Sequence, residues 1–235
     1  MHGPAKTLEI ELLGPFRHSG SYEDLPKKAQ ALLAYLAMNR GRAIPRDQLA
    51  DLLWSTSGPE QGRQSLRQSL AAVRRALGAD ARGVVETVGA DVLLAASGAI
   101  DIDVRRFETL AQSTAIADLA AANELYRGEF LADFDVPSEP FMDWVRVERT
   151  RLEATACGML LRLAAALSDA GEHDAAIAAA ERLIALDPLR EDGHRLLMQL
   201  FASVGRRAER RRSGCRCRAA AAILRDARQE ARSSG

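Results

Sequence analysis

The chain has 235 residues, 47% of them hydrophobic, with 32 basic and 32 acidic side chains and a formal net charge of zero. That length accommodates one large domain or two small ones with real cores, and the charge balance excludes a basic tail protein held to nucleic acid by a global field, so any such binding comes from local charge. No stretch approaches the roughly 18 consecutive apolar residues of a membrane span, and the start, MHGPAKTLEIELLG, lacks the charged and apolar regions of a signal peptide.

Residues 7–18, TLEIELLGPFRH, alternate and predict a strand broken at Gly14-Pro15 that resumes over 16–18. A turn at 19–21 precedes a further short strand expected at 22–25. Pro26 stands where a first-turn proline belongs, and Ala29, Leu32, Leu33 and Leu36 follow at helical spacing, with the helix ending near Gly41. A second helix opens at Pro45, with Leu49, Leu52, Leu53 and Trp54 as its apolar set. Ser55, Thr56, Ser57, Gly58 and then Pro59 break it.

The next segment, QGRQSLRQSLAAVRRAL over 61–77, is the most informative in the chain. Leu66, Leu70, Val73 and Leu77 recur at spacings of four, three and four, which forms one helical stripe. Gln64, Gln68, Ala71 and Arg75 fall opposite, with Arg63, Arg67 and Arg74 along a flank, and no acidic residue interrupts 61–78. Such a face suits a major groove, because Arg bridges guanine O6 and N7, Gln bridges adenine N6 and N7, and further Arg residues hold phosphates. Base contacts are expected from Gln64, Arg67 and Gln68 in the N-terminal half, and phosphate contacts from Arg63, Arg74 and Arg75. VVETV and VLLAA then flank Gly89-Ala90-Asp91 as a hairpin. Strands, three helices and a hairpin within 1–98 describe a winged helix-turn-helix with an added N-terminal sheet, the hairpin as wing and the third helix as reader.

From 99 onward the chain reads as nearly all helix. Ser97-Gly98 marks the boundary, and Asp103 caps a helix beginning at Val104. Gly171 and Gly205 lie 34 residues apart, each after a helical segment, with a helix between them stopped at Asp187-Pro188. A 34-residue helix, Gly turn, helix period is the tetratricopeptide signature, and such repeats bind peptides or proteins on concave surfaces. The expected fold is therefore mainly α with small β elements, a winged helix-turn-helix domain over 1–98 followed by an all-α tetratricopeptide-like helical repeat domain over 99–235.

At this point the chain resembles a known family, the bacterial transcriptional activators that join an OmpR-type winged helix to a bacterial transcriptional activation domain, including the antibiotic regulatory proteins of streptomycetes. IELLGPF (10–16), LPKKAQALLAYLAM (25–38), GRAIPRDQLADLLW (41–54) and SLRQSLAAVRRALG (65–78) resemble the DNA-binding half. IDIDVRRFE (100–108), LYRGEFLADF (125–134), FMDWVRVERTRLE (141–153) and LDPLREDGHRLLMQLFASVGRRAE (186–209) resemble the activation half. The resemblance implies promoter binding to double-stranded DNA as a homodimer on direct repeats, and recruitment of RNA polymerase through its sigma factor. The connector residues Ser55, Thr56, Ser57 and Gly58 are the natural polymerase contact. No cofactor, metal, membrane partner or enzymatic activity is expected. A cytoplasmic location fits the three cysteines, Cys157, Cys215 and Cys217, which form no disulfide framework, and the four scattered histidines.

Two features depart from the family pattern. The wing tip is Gly89-Ala90-Asp91-Val92, where the family carries an aromatic and a cation, so Asp91 would face phosphate with the wrong sign. The segment 205–235 has lost the apolar stripe of a final repeat helix and gained Arg210-Arg211-Arg212, Gly214 and two cysteines, as a frameshift near Glu209 or a degenerate end would leave it. It is expected to fray and to leave Leu196, Leu200 and Phe201 as an exposed apolar patch. Trp54 and Trp144 read as core, and Glu148, Arg149 and Glu153 as helix-surface pairs. The alternative function is a protein-interaction adaptor whose winged helix no longer binds DNA, favoured by zero net charge and by Asp91.

Overall fold

A computed structural model describes residues 7–20, 25–78, 83–96, 100–132, 134–203 and 205. The Ser97-Gly98 boundary, residues 22–24 of the expected second strand, and the tail from 206 with its Arg210-Arg211-Arg212 run, Cys215 and Cys217 lie outside them. The chain divides into two compact units, one formed by Met1–Phe107 with Leu125–Arg151 and the other by Glu108–Glu124 with Leu152–Gly235.

The first unit opens with β1 (Leu8–Glu11), in which Leu8 and Ile10 are buried and Glu9 is exposed, as the alternation predicts. Gly14, at φ 118°, breaks the run before β2 (Arg17–His18) returns antiparallel to β1. The first helix, α1 (Lys27–Met38), buries Ala29, Leu32, Leu33 and Leu36 as predicted, and Ala31, Ala34 and Ala37 as well. It is central rather than amphipathic, because it touches the two helices and the hairpin that follow. A short strand, β3 (Ile44–Pro45), leads directly into α2 (Arg46–Trp54), which buries Leu49, Leu53 and Trp54 but leaves Leu52 half exposed. Then come α3 (Pro59–Leu77), β4 (Val85–Val88), β5 (Asp91–Leu94) and β6 (Ile100–Ile102). The hairpin β4–β5 is completed by β3 in the order β3-β5-β4, and β6 lies parallel to β1 in the order β2-β1-β6.

Two of these strands were not expected from sequence. β3 is too short to show a period, and the I-D-I alternation of β6 sits immediately before a helix and reads as its lead-in. The β1–β6 pairing has a polar lock beside it. Asp103, the first residue of α4 (Asp103–Ala111), is buried, and its carboxylate accepts from the backbone N–H groups of Leu12 and Leu13 at 2.9 Å and of Val104 at 2.7 Å. Burial pushes its pKa above the usual carboxylate value, and the three donors offset only part of that rise. The predicted helix cap is thus also a long-range tie.

Residues 125–151 fold back onto this sheet. Leu131 N–H donates to the carbonyl of Leu12 at 2.8 Å, and Leu131 itself is fully buried at φ 51°, a backbone conformation strained for a non-glycine residue. Arg149 holds this bend: its guanidinium donates to the carbonyls of Phe130, Leu131 and Ala132 and pairs with Glu129. Arg149 is therefore not a helix-surface pair, since its fork matches a row of backbone carbonyls that no partner on its own helix offers. Glu148 does pair along the helix, with Arg151. Trp144, on the long helix α6 (Glu139–Asp169), stacks against Tyr35, Phe130 and Phe141 at 4.9–5.7 Å but is only half buried, at the border of the core it was predicted to join, while Trp54 is buried as predicted.

The second unit contains α5 (Ile116–Leu125, to Glu124), the remainder of α6, α7 (His173–Leu186) and α8 (Glu191–Ser203). Gly171 and Gly205 share positive φ values of 81° and 74°, so both members of the 34-residue period end a helix in the same way. Against the exposed patch expected there, Leu200 and Phe201 are buried and Leu196 is half exposed. Gly193, Leu197, Leu200 and Phe201 form one helical stripe, and α8 packs closely on α7, with Gly193 set against Leu183. Among the described residues no helix is long and apolar enough to cross a membrane, and no cluster of His, Cys, Asp or Glu has the makings of a metal site.

Candidate nucleic-acid interface

The predicted reader helix forms and is longer than its acid-free core. Gly58 occupies the N-cap, Pro59 the first turn with Glu60, and Arg74 and Arg75 the last turn, an arrangement that suits both the proline geometry and the helix dipole. Gly78, at φ 80°, ends it. Leu66, Leu70, Val73 and Leu77 are buried as one stripe, joined by Gly62 and Ala76. Each buried Leu contributes roughly 1.5–3 kcal/mol, which is enough to fix the roll of the helix. The opposite face follows from that roll: Arg63, Gln64, Arg67, Gln68, Ala71, Arg74 and Arg75 are all exposed.

These residues are not equivalent. The side chains of Gln64, Arg67, Gln68 and Arg75 have no hydrogen-bond or ion-pair partner among the described residues. Arg74 turns toward the hairpin, where Nε donates to the carbonyl of Val85 at 3.3 Å and Nη2 to Thr87 Oγ1 at 2.8 Å. Arg63 is engaged by carboxylates from two helices, Asp47 on α2 and Glu60 on its own helix. The Glu60–Arg63 pair has the i,i+3 spacing that helical periodicity reveals, whereas the ties to Asp47, Val85 and Thr87 join Arg63 and Arg74 to other elements and leave no such signal.

The hairpin turns on Gly89-Ala90, with Gly89 at φ 61°, the residue that a two-residue turn with a positive first φ favours. Asp91 is not at the apex but in β5, opposite Val88 and Pro45, and is half exposed. Residues 85–94 contain Glu86 and Asp91 and no cation. Between hairpin and reader helix, Arg46, Asp47, Arg63, Leu66, Arg67 and Ala90 line a cleft of about 220 Å³. The connector residues Ser55, Thr56 and Gly58 are exposed and Ser57 is half exposed; Ser57 N–H returns to the carbonyl of Trp54 at 2.9 Å.

A family profile described as the bacterial transcriptional activator domain matches residues 102–228, more than half of the chain. The chain belongs to the bacterial transcriptional activator domain family. A second profile, the C-terminal domain of transcriptional regulatory proteins, matches residues 20–90, which contain α1 to α3 and the first hairpin strand. Regulatory protein DnrI of Streptomyces peucetius is 31% identical over 62% of this chain and 61% of its own length. Transcriptional regulator RedD of Streptomyces coelicolor is 30% identical over 88% of this chain and 64% of its own. Among solved structures, Mycobacterium tuberculosis EmbR, determined with a low affinity phosphopeptide, is similar with a TM-score of 0.72 and 25% identity over 90% of this chain and 59% of that one. The activator-domain chain thus spans about three fifths of the length of these relatives.

Proposed function

We propose that the chain is a sequence-specific DNA-binding transcriptional regulator that activates promoters by recruiting RNA polymerase. The observation that carries this reading is the exposed face of α3, with Gln64, Arg67, Gln68, Ala71 and Arg75 held outward by a fully buried apolar stripe. Gln64, Arg67 and Gln68 contact base edges, Ala71 suits a thymine methyl, and Arg75 holds phosphate. The functional halves are residues 1–98 for DNA and 99–235 for protein partners. The protein acts in the cytoplasm as a homodimer on direct repeats. Its polymerase contact, to the sigma factor, is made by Ser55, Thr56, Ser57 and Gly58, whose exposure supports the assignment; shortening this connector should spare promoter binding and abolish transcription in a reconstituted assay.

The test is footprinting on the promoter region upstream of its own coding sequence, followed by Arg67→Ala. That substitution is expected to cost about 1–3 kcal/mol on the protected site and to relax preference at one position. Loss of no affinity, or equal loss on every sequence, would sink the base-reading assignment. A second reading, a protein-interaction adaptor, is favoured by a hairpin that bears Glu86 and Asp91 and no cation. An adaptor shows weak DNA binding without sequence preference, whereas an activator prefers its site and loses affinity steeply with salt.

A further inference from the structure

We propose that Arg63 reads a guanine edge rather than a phosphate, and that Asp47 and Glu60 are positioning residues that hold its guanidinium for that contact. This rests on the DNA-binding reading above and adds to it one base and the side chains that select it.

Arg63 lies on the exposed face of α3 beside Gln64 and one turn before Arg67. Its Nε donates to Asp47 Oδ1 at 2.9 Å and its Nη1 to Glu60 Oε1 at 3.2 Å. The two carboxylates come from different places, the first turn of α2 and the first turn of α3, so together they fix both the position and the plane of the guanidinium. Nη2 keeps both its N–H donors unengaged among the described residues, and Nη1 has a second N–H besides the one given to Glu60.

The charge of this group decides between the two kinds of DNA contact. One cation against two carboxylates leaves the trio net negative, and the acids are highly exposed, with side-chain accessibilities of 70% for Asp47 and 88% for Glu60. A phosphate brought to Arg63 meets that negative cluster, or else Arg63 must abandon both partners. A base edge carries no formal charge, and guanine offers O6 and N7 as paired acceptors to a planar fork. Arg67 and Arg75, which have no acidic neighbour holding them, remain suited to phosphate or base. Position agrees as well: Arg63 and Asp47 line the same cleft as Arg67 and the hairpin turn at Ala90, so this pair belongs to the face that approaches DNA.

The experiment uses the fragment that the intact chain protects and a set of variants in which each G·C pair is replaced in turn, titrated over a salt series. Arg63→Ala is expected to lose discrimination at one G·C pair by about tenfold to a hundredfold while leaving the salt slope unchanged. Asp47→Asn, which removes a negative charge, is expected to bind every sequence more tightly yet lose discrimination at that same pair. Arg63→Lys should not restore it, because an ammonium lacks the planar fork. Equal weakening of all sequences by Arg63→Ala, with the salt slope reduced by about 0.9, overturns the proposal and makes Arg63 a phosphate contact. Unchanged discrimination in Asp47→Asn overturns the positioning role. If the wild-type chain retains no fragment at low salt, the DNA-binding reading fails, and this proposal with it; retention by wild type with either of the other results leaves that reading intact.

Discussion

Replacing Asp103 by Ala tests whether the N-terminal sheet is held by a buried polar lock. The substitution leaves the N–H groups of Leu12, Leu13 and Val104 without the acceptor they share at 2.7–2.9 Å. An unsatisfied buried donor costs about 1–3 kcal/mol, and disruption of a buried charged network typically costs about 3–5 kcal/mol in all. With a urea m-value of about 2 kcal/mol/M, the unfolding midpoint should fall by roughly 1.5–2.5 M. Tryptophan fluorescence is the appropriate probe, because both tryptophans, Trp54 and Trp144, lie in the unit that Asp103 ties together. Asp103→Asn keeps one acceptor oxygen but turns an amide donor toward donors, so it should recover only part of the loss. A midpoint shift below about 0.5 M for Asp103→Ala would refute the reasoning, since it would mean that water or a backbone adjustment satisfies the donors at little cost.

Gly62→Ala should stabilise the protein by about 0.5–1 kcal/mol, because an added Cβ meets only Ala50 and Trp54 at an ordinary 3.7 Å while the helix loses a glycine; thermal unfolding measures it, and a loss of stability would show that α2 and α3 tolerate no added methyl. Arg149→Lys should destabilise by about 2–3 kcal/mol in urea, since an ammonium cannot span the carbonyls of Phe130, Leu131 and Ala132 together. An unchanged midpoint would mean that the bend at Leu131 supports itself.

Much of the first unit was legible because the apolar residues of its helices recur at helical spacing. The stripe Leu66, Leu70, Val73 and Leu77 fixes the roll of α3, and with it which residues face outward. The hairpin and its glycine turn were equally plain. What periodicity cannot show is pairing between distant segments. The parallel pairing of β6 with β1, the tie of Asp103 to Leu12, the reach of Arg149 to residues 129–132 and the Asp47–Arg63 pair all join positions that share no local pattern. The exposed patch expected around Leu200 is not there, since Leu200 and Phe201 are buried, and the close approach of α8 to α7 at Gly193 and Leu183 again joins segments that share no local pattern.

The tie between Asp103 and Leu12 also has a consequence for the order of events in synthesis. The two residues are 91 positions apart, and at about 5–20 residues per second the ribosome takes on the order of ten seconds to deliver the second after the first. Throughout that interval β1 has its near neighbour β2 but lacks the strand that covers its other edge, whereas β3, β4 and β5 need only each other and the helices between them. The reader helix and its hairpin can therefore assemble first, with the N-terminal strand docking last against a long-range closure that is slow by its nature. A chain that stops before Ile100 therefore carries β1 with an open sheet edge, and that edge is the place where a premature stop invites aggregation.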